Sequence, residues 1–129
     1  VKDINSGAAG TYPNYLTNAN GTLFFQTYSD IDAAVLWKHD AAGTSLVKDA
    51  LSGGPIETYE LSHGFGDEVF FVGHNGDYDF ELWKSDGSAA GTGLVRDIAL
   101  GGSISWPEKF TEVNGTVFFN LDQGDGGVY

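Results

Sequence analysis

The sequence contains no cysteine, no methionine and only three prolines, and it sets six basic residues against eighteen acidic ones. Without cysteine there is no disulfide, no thiolate zinc or iron–sulfur site and no thiol nucleophile. A net charge of −12 provides no basic face for phosphates, which excludes nucleic acid as a partner. No stretch approaches the roughly 18 consecutive apolar residues of a membrane span, and none has the layout of a signal peptide. A chain that begins at Val1 and lacks methionine reads as processed or excised. Its 129 residues suit one domain or part of one.

What is abundant is glycine, with 19 residues, and a phrase that returns. Val1-Lys2-Asp3-Ile4, Val47-Lys48-Asp49-Ala50 and Val95-Arg96-Asp97-Ile98 are spaced by 46 and then 48 residues. Leu23-Phe24-Phe25, Val69-Phe70-Phe71 and Val117-Phe118-Phe119 follow at the same offsets, and Leu36-Trp37 recurs as Leu82-Trp83. A fixed period of this length marks a repeat architecture. The two extra residues fall where Ser85-Asp86-Gly87-Ser88-Ala89-Ala90-Gly91-Thr92 faces the shorter His39-Asp40-Ala41-Ala42-Gly43-Thr44, as a hairpin loop tolerates. Five of the six basic residues, Lys2/Lys48/Arg96 and Lys38/Lys84, sit at equivalent positions. They belong to the repeating unit and make no dedicated basic site. Lys109 is the exception.

Each period reads as four short strands. Asn20-Gly21 and Asn114-Gly115 carry the signal of a tight type I′ hairpin before the Phe-Phe strand. No helical stripe of useful length is present, and the glycine density argues against one. Adjacent strand residues point to opposite faces, so Phe24/Phe25, Leu36/Trp37, Leu46/Val47 and their counterparts predict sheets covered on both faces. The expected fold class is all-β: β-propeller blades, each a four-stranded antiparallel sheet, stacked face to face. Repeat 1 spans residues 1–50, repeat 2 spans 51–98, and a truncated repeat 3 spans 99–129. The strand count is 11, with one strand at residues 1–5. A closed propeller needs at least about four blades, so the expectation is either a piece of a longer chain or copies that assemble as a homo-oligomer.

The run Glu81-Leu82-Trp83-Lys84-Ser85-Asp86-Gly87-Ser88-Ala89-Ala90-Gly91-Thr92, followed by Leu94-Val95-Arg96-Asp97-Ile98, resembles the bacterial ELWxxDGT repeat family. Asn114-Gly115-Thr116-Val117-Phe118-Phe119 is similar to another part of that repeat, and the resemblance covers essentially the whole chain. Ser88 departs from the motif threonine, and the first copy has Val35 in place of the glutamate. The resemblance implies large, propeller-like proteins that are secreted or displayed at the cell surface. It carries over no catalytic residue.

Candidate sites are few. Asp30/Asp32 and Asp77/Asp79 occur at equivalent places before the Leu-Trp strand, and paired carboxylates in extended chain offer the hard oxygen ligands that calcium takes. No full EF-hand or RTX pattern appears, however, and solvated loop acids that keep an acidic protein soluble and suppress edge pairing are the simpler reading. The same carboxylates could form a glycosidase pair, although a catalytic pair is normally unique and these recur. Asp86-Gly87-Ser88 reads as a turn in which the aspartate accepts backbone N–H groups. His39, His63 and His74 share no repeat position and no ligand spacing. Trp106 and Tyr78 lie near loops, where aromatics flanked by Asp and Asn could stack on a sugar. The sequence thus points to a non-catalytic scaffold or adhesion module without a resident cofactor, calcium aside, whose ligand is a protein or a glycan. A carbohydrate- or calcium-binding module and a fragment of a glycosidase-like propeller are the alternatives.

Overall fold

The structure, a computed structural model, describes residue 4 and residues 10–28, 34–47, 57–59, 61–62, 64–74, 80–96, 98 and 106–122. All regular structure among them is strand. In chain order these are β1 (Tyr12–Ala19), β2 (Thr22–Tyr28), β3 (Val35–Asp40), β4 (Gly43–Leu46), β5 (Glu57–Tyr59), β6 (Val69–His74), β7 (Glu81–Ser85), β8 (Gly93–Arg96), β9 (Trp106–Val113) and β10 (Thr116–Asp122). The protein is all-β, and every pairing is antiparallel. Strands β1–β4 form one four-stranded meander in sequence order, β5–β8 form a second, and β9 and β10 form a hairpin. Of the strand expected at residues 1–5 only Ile4 is described, and it lies in a bend. The two meanders also touch at one bridge, Val35 to Glu57, beside which the Thr58 N–H donates to the Ala34 carbonyl at 2.8 Å.

The turns follow from their sequences. Asn20 and Gly21 have φ of 45° and 89°, and Asn114 and Gly115 have 51° and 78°. A type I′ turn needs positive φ at both central residues, which Asn and Gly adopt at least cost. The same turn bond is made by different side chains at one repeat position: Asn18 Oδ1 accepts the Gly21 N–H at 3.0 Å, and Glu112 Oε1 accepts the Gly115 N–H at 2.9 Å.

The doublets sort onto two faces as strand alternation requires. Phe71 and Trp83 are in register on one face of the second meander and are almost fully buried. They form a cluster with Ala19, Phe24, Leu36 and Val47 of the first. On the opposite face, Phe70 stacks toward Phe110 of β9, with ring centroids 6.4 Å apart and planes at 27°, while Val72 and Leu82 are buried there too. The second meander is therefore a middle layer covered on both sides. Each large apolar side chain so buried contributes about 1.5–3 kcal/mol. The same reasoning fails for the fourth strands, where Leu46, Leu94 and Val95 remain 40%, 44% and 43% exposed. Among the described strands β4 and β8 are edge strands with a single neighbour each, so no described strand flanks them on the other side.

Candidate functional site

The first strands of the first and third repeats share an irregularity. Tyr15 and Lys109, at the same repeat position, have φ of 49° and 57°. The β1–β2 pairing shifts register between Asn14 and Thr17, and the β9–β10 pairing shifts between Phe118 and Asn120. The hydroxyl two residues on bonds back to the carbonyl in both, Thr17 to Tyr15 and Thr111 to Lys109, each at 3.4 Å. A left-handed conformation at a non-glycine residue costs about 1–3 kcal/mol, and a bulge of this kind bends the strand and re-aims its side chains. The side chains at these positions come together. Tyr15, Leu61 and Lys109 occupy one repeat position, Leu16, Ser62 and Phe110 the next, and with Thr17 they line a groove of about 340 Å³.

The groove has mixed chemistry. Tyr15 and Leu16 are 50% and 63% exposed, so a ring and an apolar flank face solvent. Lys109, the one cation outside the repeat pattern, meets its neighbour Glu108 at 3.2 Å. An exposed pair of that kind is worth about 0–1 kcal/mol, which leaves the ammonium free to exchange partners. Among the described residues no carboxylate or imidazole lines the groove; its polar groups are the Tyr15 phenol, the Lys109 ammonium and the Thr17 and Ser62 hydroxyls. It is suited to holding a molecule by stacking, by an ammonium and by hydroxyls.

The residues singled out by sequence are distributed differently. Asp30, Asp32, Asp77, Asp79 and Tyr78 lie outside the described residues. Trp106 is half-buried and packs 5.6 Å from Tyr59 and 5.2 Å from Phe80, which meet each other edge-on at 5.4 Å. It thus fastens the hairpin to the second meander. His39 Nδ1 lies 2.8 Å from Thr44 Oγ1 across the β3–β4 hairpin. Among the described residues no three His, Cys, Asp or Glu gather in a metal-holding group.

Among the described residues, the recurring Asp40/Asp86 and Lys38/Lys84 are occupied in turns and ion pairs. Asp86 Oδ1 accepts the Ser88 N–H at 2.8 Å, Ser85 Oγ accepts the Gly87 N–H at 2.9 Å, and Ser88 Oγ accepts the Gly91 N–H at 2.9 Å. Asp40, its counterpart, accepts the Ala42 N–H at 2.8 Å and pairs with Lys38 at 3.0 Å. Lys84 meets Glu68 at 2.7 Å, and the buried Glu81 accepts the Ile98 N–H at 3.0 Å. The Ser88 hydroxyl and N–H hold the Asp86 carboxyl below its ordinary 3.8. The Lys38 ammonium, then the Ala42 N–H, does the same for Asp40. A lowered folded-state pKa adds stability above the unfolded value, and that stability is lost as pH falls through the folded one. Asp86→Asn is therefore expected to be destabilising near neutral pH and progressively less so below about pH 3.8. Urea unfolding of both proteins over that range checks it; a gap that stays constant with pH contradicts it. The effect is small because the carboxyl is exposed.

Fold and groove together define an all-β protein of antiparallel four-stranded sheets with an open surface groove. No family model, no curated protein and no solved structure matches the chain. Among the described residues no helix is long and apolar enough to cross a membrane.

Proposed function

We propose that the chain is a run of propeller-type blades acting as a non-catalytic, secreted or surface-displayed interaction module that holds a glycan in the groove along its first strands. The observation that carries this reading is the convergence of equivalent positions from three successive repeats, Tyr15/Leu61/Lys109 and Leu16/Ser62/Phe110, on one groove. The recurring Asp, Lys and Glu residues that are described serve turns and ion pairs, which favours a scaffold over an enzyme. The resemblance to ELWxxDGT repeats and the layered meanders support the blades. Tyr15 offers a stacking face and Lys109 a cation, so an acidic sugar is the favoured ligand class.

A glycan array that includes uronic-acid oligosaccharides tests the reading, followed by calorimetry on any hit. Binding is expected to fall at least about tenfold, roughly 1.4 kcal/mol, in Tyr15→Ala and in Lys109→Ala. An array without hits, or binding indifferent to both substitutions, overturns it. Titration with calcium alone examines the ligand set Asp30, Asp32, Asp77 and Asp79 separately.

A further inference from the structure

Asn20-Gly21 and Asn114-Gly115 make the same turn at the same repeat position, yet the two turns are anchored differently. Both asparagines are exposed, and each turn closes one cross-strand pair, Ala19 with Thr22 and Val113 with Thr116. At Asn20 the neighbouring meander takes hold. The Asn20 side-chain amide donates to the Asp67 carboxylate, and Gly64 lies so close to the Asn18 carbonyl and Ala19 Cα that a Cβ would not fit. Ala19 is 2% exposed, whereas its counterpart Val113 is 50% exposed. Among the described residues nothing holds the Asn114 amide, and the side-chain bond at that turn is the local one from the Gly115 N–H to Glu112.

We propose that Asn114 is a site of spontaneous deamidation in the folded chain, and that the Asp67 clamp protects Asn20 from the same reaction. The Gly115 nitrogen attacks the Asn114 side-chain carbonyl carbon and gives up its proton to solvent as the new C–N bond forms. The bond from that carbon to the side-chain nitrogen breaks, and the nitrogen takes up a proton and leaves as ammonia. One water then opens the succinimide ring at either carbonyl, giving aspartate or isoaspartate. In a type I′ turn the asparagine ψ is about +30°, which holds the next nitrogen on the far side of the Cα–C bond from the side chain. The turn must open before the ring can close, so the rate follows the cost of local opening. At Asn114 opening gives up an exposed hairpin turn. At Asn20 it also breaks a hydrogen bond to a carboxylate, one of the stronger kinds, and disturbs the packing of Ala19 against Gly64. Isoaspartate adds a methylene to the main chain, so the product cannot keep the two-residue turn of the hairpin that carries Lys109 and Phe110. The inference rests on the two turns and is independent of the blade and glycan readings.

The test is incubation of the whole chain in mildly alkaline buffer, folded in one sample and unfolded in urea in another. Peptide mapping by mass spectrometry, with enzymatic methylation to mark isoaspartate, follows both asparagines over time. In the folded chain Asn114 is expected to convert at least about tenfold faster than Asn20, equivalent to roughly 1.4 kcal/mol in the cost of opening. In urea the two are expected to convert alike, since each is followed by Gly-Thr. Asp67→Ala, with circular dichroism confirming its strand content, is expected to speed conversion of Asn20 severalfold and leave Asn114 unchanged. A folded chain in which Asn114 reacts no faster than Asn20 overturns the proposal. So does a gap that persists in urea, or a folded Asp67→Ala protein whose Asn20 reacts at the unaltered rate.

Discussion

Trp83→Ala is expected to cost about 3–5 kcal/mol, the range for removing a fully buried large aromatic. Set against the roughly 5–15 kcal/mol of total stability typical of a domain, that loss leaves a substantial unfolded population in water. Trp83 is 2% exposed and belongs to the cluster shared by the two meanders. The space it vacates lies over Gly73, which has no side chain to relax into it. Its repeat counterpart Trp37 provides the comparison, since residue type, strand and register are the same. What differs is its burial and the residue beside its ring, Thr27 where Trp83 has Gly73. Trp37→Ala in the dilute chain is expected to cost at most about half as much, because a partly exposed side chain loses less transfer free energy. Urea denaturation of both variants measures the contrast. Equal costs would mean that the first meander does not cover the Trp83 face.

Much of this layering was legible in the sequence because strand alternation leaves little freedom. A doublet such as Phe70-Phe71 must send one ring each way, and the structure finds Phe110 on one side and the first meander on the other. Asn20-Gly21 and Asn114-Gly115 likewise announce their turns, since few residues take two positive φ values in succession. The edge strands misled the same rule. Leu94 and Val95 read as a buried doublet, but burial depends on a neighbouring strand that composition does not reveal. The groove was hidden for another reason. Tyr15 and Lys109 adopt left-handed backbone without the glycine or asparagine that normally signals it, so the bulge has no compositional mark. The one available hint was that Lys109 alone among the cations breaks the repeat pattern. Trp106, an aromatic near a loop, has ring neighbours in Tyr59 and Phe80 that its place in the sequence does not reveal. The motif glutamate, Glu81, gains a role that spacing could not supply: its carboxylate binds the Ile98 N–H beyond β8.

Gly64→Ala is the second substitution with a large expected effect, about 3 kcal/mol, toward the upper end of what overpacking costs. A Cβ at this position would lie 2.2 Å from the Asn18 carbonyl oxygen and 2.6 Å from Ala19 Cα. Both atoms belong to the backbone, so no rotamer change can relieve the clash and the two meanders must part locally. They are held together there by the Asn20 amide donating to the Asp67 carboxylate and by Ala19, 2% exposed in the shared cluster. Parting them exposes that cluster from its turn end. Gly93→Ala is the control, since nothing lies within 4 Å of a Cβ there and the change is expected to be neutral or stabilising by about 0.4–1 kcal/mol. Chemical denaturation gives the two energies. Acrylamide quenching of tryptophan fluorescence reports whether the buried Trp83 becomes accessible in the folded Gly64→Ala protein. A Gly64 variant as stable as the Gly93 variant would show that the first and second meanders do not meet at their turns.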